Sequence, residues 1–186
     1  WKYLVERPGL LGLLMYFAAL NYVVGGASVL FTPLILSTAS SDILGIIMFI
    51  AGSGMIVGGI VMAVWGGLKD RTKNIYIFGI VFGIAVILSG LKASIVLVTI
   101  AGFLFFFSMA IIGTSFQTIF QCKVEAKLQG RVFSVRKMLV TASLPLAYIT
   151  VGPLADNIFE PHFTSNGVLA KVFGGLVGVG TGRGIG

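Results

Sequence analysis

The feature that most constrains this chain is a short polar segment between two long apolar runs. Residues 66–74, Gly-Gly-Leu-Lys-Asp-Arg-Thr-Lys-Asn, carry four charges, while residues 43–65 before them and 75–90 after them are almost wholly apolar. A water-soluble fold rarely separates two such runs by so little, whereas a helical hairpin in a membrane needs only a short turn outside the lipid. The segment therefore predicts two membrane spans, and its basic side chains place it in the cytoplasm.

The composition indicates a membrane location for the whole chain. Of the 186 residues 57% are hydrophobic and 10% are charged, and the mean hydropathy is +1.05. Soluble domains carry about 25% charged residues. The 26 glycines are spread through the apolar runs, as in closely packed membrane helices. The predicted fold class is an all-α integral membrane protein with several spans.

Charge and cysteine content argue against a nucleic-acid-binding protein and against a disulfide- or cysteine–metal-stabilised one. The net charge is +7, but the cations lie in short loops between apolar runs. They therefore indicate topology and contact with membrane lipid, and nucleic acid is not expected as a partner. Cys122 is the only cysteine, which excludes an internal disulfide and a cysteine-rich metal site. No bound metal is expected.

Five spans are predicted, near residues 10–36, 43–65, 75–90, 94–120 and 138–155, and a sixth begins near residue 180. With residues 66–74 in the cytoplasm and alternating spans, ten of the thirteen cations fall on the cytoplasmic side. The external side receives Lys92, Lys171 and Arg183. Such a bias is typical of the correct topology, so the chain is expected to enter the membrane from the cytoplasm.

Glycines at a four-residue spacing predict close approaches between helices. Gly54 and Gly58 share this spacing in the second run, and Gly79 and Gly83 share it in the third. Residues four apart lie on one helix face, and without side chains they let a neighbouring backbone come near.

The polar segment itself has two interpretations. In the simpler one its glycines close the turn and its cations hold it in the cytoplasm. In the other, the Asp70 carboxylate makes charge-assisted bonds to a neighbouring helix end in one conformation and releases them in another.

The order of residues favours the second interpretation. Gly66-x-Leu68-x-Asp70-Arg71 resembles the cytoplasmic loop motif of the major facilitator superfamily, Gly-x-Leu-Ala-Asp-Arg-x-Gly-Arg-Lys. That motif joins the second and third helices in the family and is echoed in weaker form between the eighth and ninth. Departures at Lys69, Lys73 and Asn74 suit the weaker copy. The resemblance implies that Gly66, Leu68, Asp70 and Arg71 belong to a conformational-switch loop.

Further segments resemble the macrolide-efflux and enterobactin-exporter-like branch of that superfamily. They lie at residues 7–11, 129–134, 145–156 and 180–186. The resemblance covers essentially the whole chain and places residue 10 onward at the seventh helix and Gly186 at the start of the twelfth. It implies that residues 1–186 are the C-terminal half of a twelve-helix permease, with the N-terminal half as partner.

The resemblance also implies a function. Two halves would rock about a central cavity in the bacterial cytoplasmic membrane and export a small molecule, driven by a proton gradient and without a cofactor. Polar residues of the spans are the candidates for lining this cavity: Asn21, Tyr22, Ser108, Thr114, Gln117 and Tyr148. Equally, these side chains can hydrogen-bond one helix to another.

The positions of the ionisable residues bear on how transport would be coupled to protons. No Asp, Glu or His lies in the middle of a predicted span, so the proton-carrying group is expected in the N-terminal half, with Asp156 the nearest candidate here. Arg131, Arg136 and Lys137 are assigned to a cytoplasmic basic loop. Arg136 and Lys137 are expected to face lipid phosphate or the end of another helix.

Other functions remain open at this point. A channel or an assembly subunit would need only packed helices. A membrane-embedded enzyme is disfavoured because the spans contain no His-Glu-x-x-His or Gly-x-Ser-x-Gly pattern, and the chain is predicted not to be an enzyme. A nucleotide-driven transporter is disfavoured because the sequence has no Gly-x-x-x-x-Gly-Lys-Ser/Thr loop.

Overall fold

A computed structural model describes residues 2–36, 39–90 and 94–154 of the chain. Within these ranges the regular structure is entirely helical, which confirms the all-α fold class. The helices are α1 (Lys2–Val5), α2 (Pro8–Leu36), α3 (Ser41–Trp65), α4 (Arg71–Gly90), α5 (Ile95–Lys123) and α6 (Ala126–Leu154). Asp156, the three cations assigned to the external side and the predicted start of a sixth span lie outside the described residues.

Helices α2 to α6 are each long and apolar enough to cross a membrane. They contain 20 to 29 residues, and a helix of 20 residues is about 30 Å long, which matches the hydrocarbon core of a bilayer. The five predicted spans therefore correspond to five helices. Large apolar side chains cover the outside of the bundle, among them Phe49, Val64 and Ile149, which are 70% exposed or more. Such a surface requires lipid or another apolar partner.

Two helices begin well before the predicted spans. Helix α4 starts at Arg71 instead of residue 75, and α6 starts at Ala126 instead of residue 138. The assignment of Arg131, Arg136 and Lys137 to a loop was therefore wrong, because all three lie on α6. Hydropathy detects only the apolar part of a helix, whereas Arg and Lys are good helix formers and continue it.

Helix α5 is at the centre of the packing. It packs most extensively against α3 and α4, while α2 packs mainly against α6. The larger core cluster contains Leu14, Phe17, Phe82, Phe116 and Phe120. Stacked rings join α2 to α5, because the centroids of Phe17 and Phe116 lie 4.2 Å apart.

Small residues set the close contact between α3 and α5. A Cβ atom on Gly58 would lie 2.7 Å from the Phe107 carbonyl oxygen, and one on Gly54 would overlap the Phe103 carbonyl oxygen. The predicted close approach at these two glycines is confirmed. Among the described residues, in contrast, a Cβ on Gly83 would meet nothing within 4 Å, and one on Gly79 would meet the Tyr16 hydroxyl. The same spacing on α4 therefore does not mark a close backbone contact with another described helix.

The starts of α2, α4 and α6 and the ends of α3 and α5 lie at one end of the bundle, which we call its basic end. Several contacts join these helix ends. Arg7 donates a hydrogen bond to the Lys123 carbonyl oxygen at 3.1 Å and lies 3.7 Å from the Glu125 carboxylate. Asn74 at the start of α4 reaches Ser115 near the end of α5. The side of the membrane on which this end lies stays a prediction.

Candidate functional site

The loop between α3 and α4, residues 66–70, is built on two glycines with positive φ. Gly66 has φ of 69° and donates its N–H to the Met62 carbonyl oxygen at 3.0 Å, which ends α3. Gly67 follows with φ of 75°. Residues with a Cβ rarely adopt this left-handed conformation, so glycine is required where the chain reverses.

Arg71 and Asn74 close this loop from the first turn of α4. The Arg71 Nη1 donates to the Gly66 carbonyl oxygen. The Asn74 Oδ1 accepts the N–H of Leu68 at 3.2 Å, and its Nδ2 donates to the Ser115 Oγ at 3.4 Å. Because Asn74 is fully buried, both halves of its amide are occupied inside the protein. It ties the loop to α5.

The Asp70 carboxylate caps the helix that follows it. Its Oδ1 accepts the N–H of Thr72 at 3.1 Å, and its own carbonyl oxygen accepts the N–H of Lys73 at 3.1 Å. This is the geometry of an N-terminal cap, which satisfies an amide that has no partner within the helix. In the described ranges Asp70 forms no ion pair. A switching role for the four motif residues stays a prediction.

A second polar group lies where α2, α5 and α6 meet. The Arg136 Nη1 of α6 donates to the Gln117 Oε1 of α5. Its guanidinium carbon lies 4.7 Å from the ring centroid of Phe116 and 5.3 Å from that of Phe17. Arginine over an aromatic face is attracted by the negative face of the ring. The structure thus joins a predicted cavity residue to a residue that had been assigned to a loop, and we call this group the Arg136 site.

The other candidate cavity residues are dispersed. Asn21 is buried and donates to the Phe17 carbonyl oxygen of its own helix at 2.8 Å. The Tyr22 hydroxyl meets the Thr150 hydroxyl of α6 at 2.7 Å. Thr114 is exposed and donates to the Ala110 carbonyl oxygen, and the Tyr148 side chain is 50% exposed. Whether these side chains line a transport cavity stays a prediction.

Two of the cavities among the described residues are lined by α2 and α4 together with α5 or α6. One of about 120 Å³ is nearly all apolar and is lined by Phe31, Phe105 and Phe106 together with small residues of α4 and α5. Another of about 260 Å³ is lined by Tyr22, Leu30 and Val151. Both have a few polar atoms among apolar ones, as sites for small amphipathic molecules do. The described ranges contain no group of three His, Cys, Asp or Glu side chains able to hold a metal ion.

Ser108 and Ser115 form a matched pair on α5, and they give a stability prediction. Both are fully buried, but among the described residues the Ser108 Oγ has no hydrogen-bond partner, whereas Ser115 accepts from Asn74. An unsatisfied buried hydroxyl costs about 1–3 kcal/mol. We expect Ser108→Ala to raise the free energy of unfolding and Ser115→Ala to lower it, measured by SDS titration in detergent. A loss of stability in both variants would contradict this assignment.

The helices and their apolar surface define a multi-pass helical membrane protein. Over 118 residues, 60% of the chain, its sequence is 30% identical to Macrolide efflux protein A of Streptococcus pyogenes. It is equally similar to the protein of that name from Streptococcus pyogenes serotype M6 (strain ATCC BAA-946 / MGAS10394). The match covers 28% of the length of each relative. No family model and no solved structure matches the chain.

Proposed function

We propose that this chain is the C-terminal half of a major facilitator exporter that moves amphipathic small molecules out of a bacterial cell by alternating access. The observation that carries the proposal is the 30% identity to Macrolide efflux protein A over 60% of the chain. Five helices of membrane-spanning length support it. The order Gly66-x-Leu68-x-Asp70-Arg71 between two of these helices supports the choice of superfamily.

The packing is compatible with a six-helix half that moves as a unit against the other half of the permease. Helices α3, α4 and α5 form one closely packed group, and α2 with α6 forms another. A close fit between α3 and α5 keeps the first group rigid, since their backbones touch at Gly54 and Gly58. In the proposed cycle the N-terminal half of the permease would pack against this bundle and enclose the substrate between the two halves.

Proton coupling belongs to the same proposal. The acidic residues of the described ranges, Glu6, Asp42, Asp70 and Glu125, lie in loops or in the first turn of a helix. A carboxyl group that takes up a proton within the membrane must lie deeper than this. We therefore place the proton-carrying group in the N-terminal half, with Asp156 as the alternative in this chain.

Export can be measured directly with the complete protein. We expect cells that lack their own drug pumps and express this protein to accumulate several times less radiolabelled erythromycin than cells with empty vector. A protonophore should abolish the difference if the proton gradient drives export. Equal accumulation of erythromycin and of two unrelated amphipathic drugs in both strains would reject the efflux proposal. Export that survives the protonophore would reject proton coupling alone.

A further inference from the structure

The Arg136 site holds a cation inside the helix bundle. Arg136 lies about 15 Å along α6 from its first residue, and Gln117 lies about 9 Å before the last residue of α5. The guanidinium is half-buried and contacts the rings of Phe17 and Phe116, which both belong to the larger core cluster. The neighbouring Lys137, in contrast, is exposed. Arg136 is therefore turned into the protein.

The positive charge of Arg136 is not neutralised by the part of the chain that is described. The one ion pair in residues 2–36, 39–90 and 94–154 joins Arg7 to Glu125, and no carboxylate lies within 4.0 Å of Arg136. Gln117 supplies a neutral oxygen, and the two rings supply only their quadrupoles. A half-buried cation with these neighbours is stabilised by an anion.

The donor geometry indicates which anion fits. A guanidinium has five N–H donors in a planar fork, and Gln117 accepts from one of its terminal nitrogens. The rest of the fork matches two oxygens of one planar group, which is how arginine binds a carboxylate. One positive charge is balanced by a monoanion, whereas a phosphate monoester would leave an excess negative charge beside the two buried rings.

We propose that the Arg136 site binds the carboxylate of an amphipathic substrate, so that organic acids are among the molecules that the exporter accepts. The inference rests on the proposed function and adds its substrate class. Gln117 acts as a positioning residue, because its oxygen holds the guanidinium between α5 and α6 while the Phe17 and Phe116 rings fix its plane. A substrate without an acid group, such as erythromycin, would bind through apolar contacts and not through Arg136.

The test is equilibrium binding to the complete protein in nanodiscs made of phosphatidylcholine. The probes are tritiated 2-naphthoate and its methyl ester, which differ by one charge. We expect Arg136→Gln to weaken naphthoate binding about ten- to one hundredfold, the range for one lost charge-assisted interaction. Binding of the ester should be unchanged. Lys137→Gln is the matched control and should alter neither probe by more than about twofold, because exposed charges contribute little.

Other outcomes overturn the proposal. Equal weakening of both probes by Arg136→Gln would mean that the arginine only holds the helices together. Equal affinity of the wild-type protein for acid and ester would also reject the site, and this comparison decides the matter if Arg136→Gln does not fold. Loss of naphthoate binding when phosphatidylglycerol replaces phosphatidylcholine would assign the site to a lipid headgroup instead.

The binding assay tests the anion site and the export assay tests the efflux function, so either hypothesis can be rejected without the other. Tight, Arg136-dependent naphthoate binding without export of any drug would leave the anion site standing and reject the efflux function. Export of erythromycin by a protein that does not distinguish naphthoate from its ester would reject only the anion site.

Discussion

Replacing Gly58 by alanine is expected to lower the free energy of unfolding in detergent by about 1–3 kcal/mol, the usual cost of overpacking. The added Cβ would lie 2.7 Å from the Phe107 carbonyl oxygen and 3.0 Å from the Ala110 Cβ. Neither atom can move without shifting α5, since one is backbone and the other is fixed to it. At Gly54 the overlap with α5 is greater still, so Gly54→Ala is expected to cost at least as much.

Gly59 provides the matched control for this prediction. It lies on the same helix one residue further along, and a Cβ there would meet no described residue within 4 Å. Alanine is a better helix former than glycine by about 0.5–1 kcal/mol, so Gly59→Ala should leave stability unchanged or raise it. The measurement is the loss of helical circular dichroism during SDS titration. An equal effect of alanine at positions 58 and 59 would contradict the close contact of α3 with α5.

Hydropathy predicted the number of spans because crossing a bilayer depends on the average of many residues. It placed the starts of α4 and α6 too late, since charged helix formers extend a helix beyond the lipid without changing its backbone. The contact at Gly54 and Gly58 could also be predicted. Gly83 has the same four-residue spacing, and yet none of the described helices lies against it. The spacing identifies a helix face without side chains. Whether another helix packs on that face depends on the arrangement of the other helices.

The Arg136 site could have been found from the length of one connection. Only Val124 and Glu125 separate α5 from α6, so the end of α5 and the start of α6 lie close together, and the long Arg136 side chain spans the gap to Gln117. Side chains on a helix lean toward its N-terminus, and Arg136 therefore reaches back toward the level of Gln117. The assignment of Arg136 to a cytoplasmic loop excluded this pairing from the prediction.

Asn74 has a structural role that comparison with the family motif did not predict. The motif of the major facilitator superfamily has a cation at this position, so Asn74 counted as a departure from it. In the structure the amide bonds Leu68 in the loop and Ser115 on α5. An amide can donate and accept at once, whereas a cation could only donate. Asn74 therefore links the loop to the bundle in a way that a cation, which cannot accept the N–H of Leu68, could not.

Removing that link is expected to have the second large effect. Asn74→Ala leaves the N–H of Leu68 without its acceptor and the Ser115 hydroxyl without its donor, inside a site where Asn74 is fully buried. The expected cost is about 1–3 kcal/mol. Because the bonds join the loop to α5, amides of residues 66–74 should exchange faster with deuterium, while the α3–α5 contact stays protected. Lys73→Ala, exposed on the same turn, should change stability by no more than about 0.5 kcal/mol.

Asn74→Ala and Asp70→Asn together test whether the loop acts through its fixed geometry or through the charge of Asp70. Asp70→Asn keeps an oxygen that can accept the N–H of Thr72, and asparagine is as good a cap as aspartate. If the loop acts through its fixed geometry, Asn74→Ala should reduce drug export by the complete protein more than Asp70→Asn does. If Asp70→Asn abolishes export while hydrogen exchange of residues 66–74 is unchanged, the carboxylate acts through its charge in another conformation. In that case the switching role assigned to Gly66, Leu68, Asp70 and Arg71 holds, and Asn74 serves stability alone.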